Sequence, residues 1–201
     1  EAITAHREAL RVHTYDSFPY EYAGTQNNLG NALWSQAASL AGEEKRRKLN
    51  EAVAAYKEAL RVDTFETAPS HYAIRHNNLA AAMKDQAVFF TGEEKLRIFN
   101  EAISAYAKAL RVFTFKSDPG HYASVQHNIG VALWEHARCL TGEAKAKKLA
   151  EAVAAYGEAM RVWDLRSSPE YYATNKQNLG NALRDMAGSM TGAEKRRKLN
   201  D

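Results

Sequence analysis

Much of this sequence's meaning lies in what is scarce. A single cysteine, Cys139, excludes an internal disulfide, and nothing calls for an oxidising compartment. No apolar run exceeds a few residues, so no membrane-spanning helix is predicted. An excess of one charge is missing: 27 basic residues face 24 acidic ones, for a net charge of +3. Bulk electrostatics therefore argues against a nucleic-acid partner. Glu1 to Leu10 are charged and helically spaced, so they read as helix rather than as a leader. The expectation is a cytoplasmic chain. Its composition, 45% hydrophobic and 25% charged, is that of a folded protein.

Catalytic signatures are missing too. None of the seven histidines (His6, His13, His71, His76, His121, His127 and His136) belongs to a His-Glu-x-x-His pattern. His127 and His136 are nine residues apart, too far to chelate together on one helix. No phosphate-binding loop is present, and Cys139, read as a small core or flank residue, has no nucleophile's partner set. Neither an enzyme, nor a cofactor, nor a metal site is expected.

What is present is a repeat, the pattern to seek before any other. At an offset of fifty, Glu1-Ala2-Ile3 recurs as Glu51-Ala52-Val53, Glu101-Ala102-Ile103 and Glu151-Ala152-Val153. The prolines number only four, Pro19, Pro69, Pro119 and Pro169, one per copy at the same place. Four copies follow, 1–50, 51–100, 101–150 and 151–200, without a gap.

Each copy reads as two helices. Helix A begins at its proline, which costs no hydrogen bond in a first turn. Ser17, Thr67, Ser117 and Ser167 stand two residues earlier as candidate caps. Tyr22, Leu29, Leu33, Gln36 and Leu40 fall on one face at helical spacing, and the helix is predicted to end near Ser39 to Ala41. Helix B follows a glycine turn. Thr91-Gly92-Glu93-Glu94 and Thr191-Gly192-Ala193-Glu194 fit a capping box. The stripe Leu49, Ala52, Val53, Tyr56, Ala59 and Leu60 should run to about Val62–Thr64. Nothing reads as a strand. A helix pair of this size cannot bury its stripe alone, so stacked neighbours must do so.

Asn28-Leu29-Gly30-Asn31-Ala32 and Ala52-Val53-Ala54-Ala55-Tyr56-Lys57-Glu58-Ala59-Leu60 resemble the two helices of the tetratricopeptide repeat. The resemblance covers the whole chain, four times in constant register. It is to an extended variant, since the usual repeat has 34 residues. The proline that normally follows helix B is replaced by Thr14, Thr64, Thr114 and Asp164. The implied fold is all-α, a right-handed solenoid of stacked antiparallel helix pairs forming one array over 1–201.

The resemblance also implies a concave groove lined by helix A that holds a protein or peptide ligand. On the helix A wheel, the face opposite the stripe varies most between copies. Trp34 and Trp134 would be apolar anchors there, and Lys84 and Arg184 cationic contacts. Asn27, Asn77, His127 and Gln177 share that face. The column Asn28, Asn78, Asn128 and Asn178 matches the asparagine that grips a peptide backbone in several tetratricopeptide proteins, and an amide offers both donor and acceptor. Two readings stay open for it: a peptide clamp, or a structural amide bonded between neighbouring helices. For the variable positions the plain alternative is surface drift. The basic runs Lys45-Arg46-Arg47-Lys48 and Lys195-Arg196-Arg197-Lys198 read as solvated helix faces.

The competing function is a structural array. Both ends fall inside a helix B pattern, so the chain is expected either to continue as part of a longer array or to self-associate head to tail. A sensor or regulatory segment of a larger signalling protein is the third reading.

Overall fold

The computed structural model describes residues 1–189, all of whose regular structure is helical. The second basic run and the box at Thr191 lie outside the described residues. The chain divides into two compact units, Glu1–Phe113 and Thr114–Asp201. The first holds α1 (Ala2–Ala9), α2 (Pro19–Ala38), α3 (Gly42–Ala59), α4 (Pro69–Gln86) with a short 3-10 turn (Ala87–Phe89), and α5 (Gly92–Ala109). The second holds α6 (Pro119–Ala137), α7 (Gly142–Ala159) and α8 (Pro169–Ser189). Each helix packs on its chain neighbour within its unit, and α2 also meets α4, as α6 meets α8.

Small residues set these contacts. In α3 the buried positions are Leu49, Ala52, Val53, Ala55, Tyr56 and Ala59, and α7 repeats them with Leu149, Ala152, Ala155, Tyr156 and Ala159. The alanines let neighbouring backbones close in, while each tyrosine ring fills the remaining gap. A Cβ on Gly30 would come within 2.6 Å of the Tyr56 ring, and one on Gly130 within 2.6 Å of Tyr156. The expected stripe on α2 holds at Leu29 and Leu33 but not at Gln36, which is exposed; Leu40 falls beyond the helix end at Ala38.

The joints differ from the predicted capping. Phe18 and Ala68 occupy the cap positions of α2 and α4 and give no side-chain bond, whereas Asp118 caps α6, accepting the His121 N–H at 3.0 Å. The hydroxyl columns clasp the preceding loop instead. The Thr67 N–H donates to Thr64 Oγ1 at 3.2 Å, the Ser117 N–H to Thr114 Oγ1 at 3.0 Å, and the Ser167 N–H to Asp164 Oδ1 at 2.9 Å. Three residues of spacing suit a closed turn better than the helix start beyond it. These bonds hold the Asp164 carboxyl below its usual range, the Ser167 hydroxyl contributing most.

The capping box at Thr91 does not form either. Thr91 makes no side-chain cap bond, and Glu94 is engaged by Arg97 at 2.6 Å. The turn is made by backbone: Gly42, Gly92 and Gly142 have φ of 57°, 56° and 58°. A side chain in that left-handed region costs ~1–2 kcal/mol. Gly142→Ala is expected to destabilise by that amount, read as a lowered midpoint in chemical denaturation; an unchanged midpoint would contradict the role given to this joint.

A further clasp recurs at the far end of helix B. Arg61 lies over the Tyr15 ring at 4.3 Å, Arg111 over Phe65 at 4.0 Å and Arg161 over Phe115 at 4.2 Å. Arg61 also meets Glu58 at 2.6 Å, and Arg161 meets Glu158 at 2.6 Å. Ring and carboxylate together hold the guanidinium.

Candidate functional site

In the first unit the helix A face is an amide cluster. Asn78 Nδ2 donates to Asn27 Oδ1 and to Asn31 Oδ1, both at 3.3 Å, joining α4 to α2. Asn27 Nδ2 lies 3.5 Å from Asn28 Oδ1, and Asn77 Nδ2 lies 3.4 Å from Asn78 Oδ1. The Tyr56 hydroxyl donates to Asn31 Oδ1 at 2.8 Å, passing over Gly30 to reach it, and burial pushes that phenol up. All four predicted amides of this unit's face, with Asn31 added, thus form one connected set. Asn78 has the interhelical geometry of a structural amide. Asn28 is exposed and keeps unused N–H and lone-pair capacity.

In the sequence Asn31 stands out only as part of the Asn28-Leu29-Gly30-Asn31-Ala32 motif. The signal for its role is that it vanishes as Ala81 and Val131, which cannot accept from a tyrosine. In the second unit Tyr156 Oη has no hydrogen-bond partner among the described residues.

Beneath Asn27 and Asn28 lies a crevice of about 290 Å³ between α2 and α4. Tyr20, Gly24 and Ile74 form its walls, and a buried ion pair its floor. Asp63 and Arg75, 1% and 5% exposed, face each other there. His71 Nδ1 lies 3.7 Å from Asp63, at the rim. Asp63 belongs to the loop between α3 and α4, and burial makes it part of the site. In the first copy the same two columns hold His13 and Thr25, 3.0 Å apart.

The second unit has a crevice at the same register between α6 and α8, about 320 Å³ in volume. His127 and Asn128 line it, as Asn27 and Asn28 line the first. The rest of the lining differs: Trp163 stands where Asp63 does, and Tyr171 where His71 does. The Trp163 and Tyr171 rings stack with centroids 5.0 Å apart at 21°. Asn175, fully buried, donates from Nδ2 to the Tyr156 carbonyl at 2.8 Å, which aims its Oδ1 at His127 Nδ1, 2.9 Å away. That orientation places the imidazole proton on Nδ1. Burial lowers the His127 pKa, partly offset by the Asn175 bond.

The tryptophans sit farther along the same helices, half-buried. Trp34 Nε1 donates to Asp85 at 2.7 Å, and Trp134 Nε1 to Asp185 at 2.8 Å. Each indole N–H is thereby engaged by the next helix A of its unit, and only part of each ring can meet a ligand. Lys84 Nζ lies 2.5 Å from Asp85. Arg184 is exposed, bonded to Asn181 at 3.0 Å, and Gln177 is exposed beside half-buried Asn178. The aspartates were missed by the sequence reading. The available signal was the alternation of tryptophan in copies one and three with aspartate fifty-one residues later.

Among the described residues no group of three or more His, Cys, Asp or Glu side chains could hold a metal ion, and Cys139 is exposed in the turn just past the end of α6. No helix among them is long and apolar enough to cross a membrane. Comparison with known proteins gives no matching family model, no matching curated protein and no matching solved structure.

Proposed function

We propose that this chain is a binding module that recognises a segment of another protein through its helix A face, on an extended tetratricopeptide-like solenoid. The observation that carries this reading is the matched pair of crevices. In both units, positions 27 and 28 of an odd-numbered copy line a recess between consecutive A helices, while the facing residues change from Asp63 and His71 to Trp163 and Tyr171. A constant amide beside variable neighbours suits a ligand whose backbone is common and whose side chains differ. The fixed frame of Tyr56, Gly30 and Asn31 supports that role, because side chains already held lose little freedom on binding. The resemblance of the Asn-Leu-Gly and Ala-Val-x-x-Tyr motifs to the tetratricopeptide repeat points the same way.

Selection of binders to the purified chain from a displayed random-peptide library tests this. Affinity of a selected peptide is then compared between the chain and Asn28→Ala/Asn128→Ala. These two are chosen because Asn78 ties α4 to α2 and its loss would confuse support with contact. Each lost backbone bond is expected to cost ~0.5–1.5 kcal/mol, or roughly two- to tenfold in affinity per site. A library that yields no binder, or binders indifferent to both changes with melting unaltered, would overturn the reading.

A further inference from the structure

We infer that the crevice between α6 and α8 takes a cationic side chain of the partner segment, a guanidinium or ammonium laid on the exposed Tyr171 ring with its charge on Glu170. The inference rests on the peptide-binding reading for its partner, but its chemistry is carried by separate observations.

The first is a pattern the chain uses on itself. An aromatic ring and a glutamate together hold Arg61, between Tyr15 and Glu58, and hold Arg161, between Phe115 and Glu158. Tyr171 and Glu170 supply the same two ingredients at one crevice, with the buried Trp163 indole, 7% exposed, stacked behind the Tyr171 ring. Among the described residues, though, no cation lies over either ring and Glu170 has no ion-pair partner. Tyr171 is 60% exposed, an open face for a large aromatic on a surface where most others are covered.

The second observation is the balance of charge. Glu170 is the only formally charged residue in the lining besides the titratable His127, which burial holds toward its neutral form. An acidic occupant would be repelled by the carboxylate, and a purely aliphatic one would gain nothing from it. A cation is attracted both by the ring quadrupoles and by the carboxylate. A long side chain can also lay its methylenes against the Tyr171 ring while the charged head stays near water.

The third is the contrast with the first unit. There the equivalent columns hold Asp63 and Arg75, so a carboxylate and a guanidinium of the same chain already face each other under the crevice. In the second unit those columns hold Trp163 and Asn175, and neither the internal cation nor its carboxylate is present. The two crevices are thus expected to select different side chains.

The test uses the whole chain and small probes of defined chemistry. N-acetyl-arginine methylamide is titrated to millimolar concentration while the indole N–H signals are followed by proton–nitrogen correlation spectroscopy. The chain has three tryptophans, and Trp34→Phe and Trp134→Phe identify the Trp163 signal by elimination. The neutral N-acetyl-citrulline methylamide, of nearly the same shape, is the control. A saturable Trp163 shift with arginine, at least fivefold weaker with citrulline and lost in Glu170→Gln, is the expected result. Glu170 is exposed and unpaired, so its amide variant should fold as the parent does. Equal response to the two probes, an unaffected Glu170→Gln, or no Trp163 shift would each overturn the inference. The binding reading fails separately. If selected peptides bind without a cationic residue and ignore Glu170→Gln, the cation site falls and the module stands. If arginine saturates the crevice but no peptide binds, the site stands and the module falls.

Discussion

Arg75→Met is expected to destabilise the first unit by ~3–5 kcal/mol, the largest single effect foreseen here, because it leaves the Asp63 charge buried without its partner. Asp63 is 1% exposed, so water cannot take over the lost contact. Asp63→Asn should act similarly by stranding the guanidinium. The double change Asp63→Phe/Arg75→Val is expected to recover most of the loss. Copy three carries Phe113 and Val125 at these two positions, and both are buried there. Replacing a buried ion pair with apolar residues of suitable volume is often neutral or stabilising, whereas removing one partner is not. Urea denaturation of the singles and the double measures this. Additive losses in the double would show that the two residues do not depend on each other.

The second large effect is a dependence on pH set by His76. This residue is 6% exposed, packs edge-on against Tyr72 with ring centroids 4.3 Å apart, and has its pKa lowered to about 4, first by burial and then by Lys108. Its ordinary value is 6.5, so the unfolded chain takes up a proton at a pH where the folded chain does not. The stability it contributes is fully present above pH 6.5 and is lost progressively as pH falls through 6.5 toward 4. Two to three pKa units correspond to roughly 3 kcal/mol. His76→Gln, the residue found at Gln26 and Gln126, should flatten that part of the profile relative to the parent. Carboxylates and the other buried histidines also titrate in this range, so the difference between the two proteins is the quantity to read. Parallel profiles from pH 7 to pH 4 would contradict a neutral, buried His76.

Much of the architecture was visible in the sequence because it depends on local rules. The four prolines mark the starts of α2, α4, α6 and α8, since a missing N–H is harmless only in a first turn. The glycines mark the joints, since only a residue without a Cβ accepts their backbone angles cheaply. The helix B stripe is buried from Leu49 to Ala59 as its spacing predicts, while Leu60, just past the end of α3, is half-buried. What was not visible depends on contacts between distant positions. The Ser and Thr columns were assigned to capping on spacing alone, yet their partners lie back in the loop. Trp34 and Trp134 looked like free aromatics because Asp85 and Asp185 lie fifty-one residues beyond them. The Asp63–Arg75 pair was not visible because a loop residue and a helix residue twelve positions on meet only in the packed fold.

Of the proposed ligand-facing residues, the asparagine column was legible and its division of labour was not. Periodicity places Asn28, Asn78, Asn128 and Asn178 in one register, but only the packed helices show that Asn78 is spent on Asn27 and Asn31 while Asn28 stays open. The aromatic stack of Trp163 and Tyr171 escaped notice because one member belongs to the linker and the other to the first turn of helix A.

The most direct test of the central proposal is to map a selected peptide onto the isotopically labelled chain by backbone and side-chain amide shifts. The account expects the perturbations to cluster at Asn28 and Asn128 and at the crevice residues Ile74, Trp163 and Tyr171. Perturbations confined to the exposed positions of helix B, such as Ala54, Lys57, Ser104 and Ala154, would contradict it.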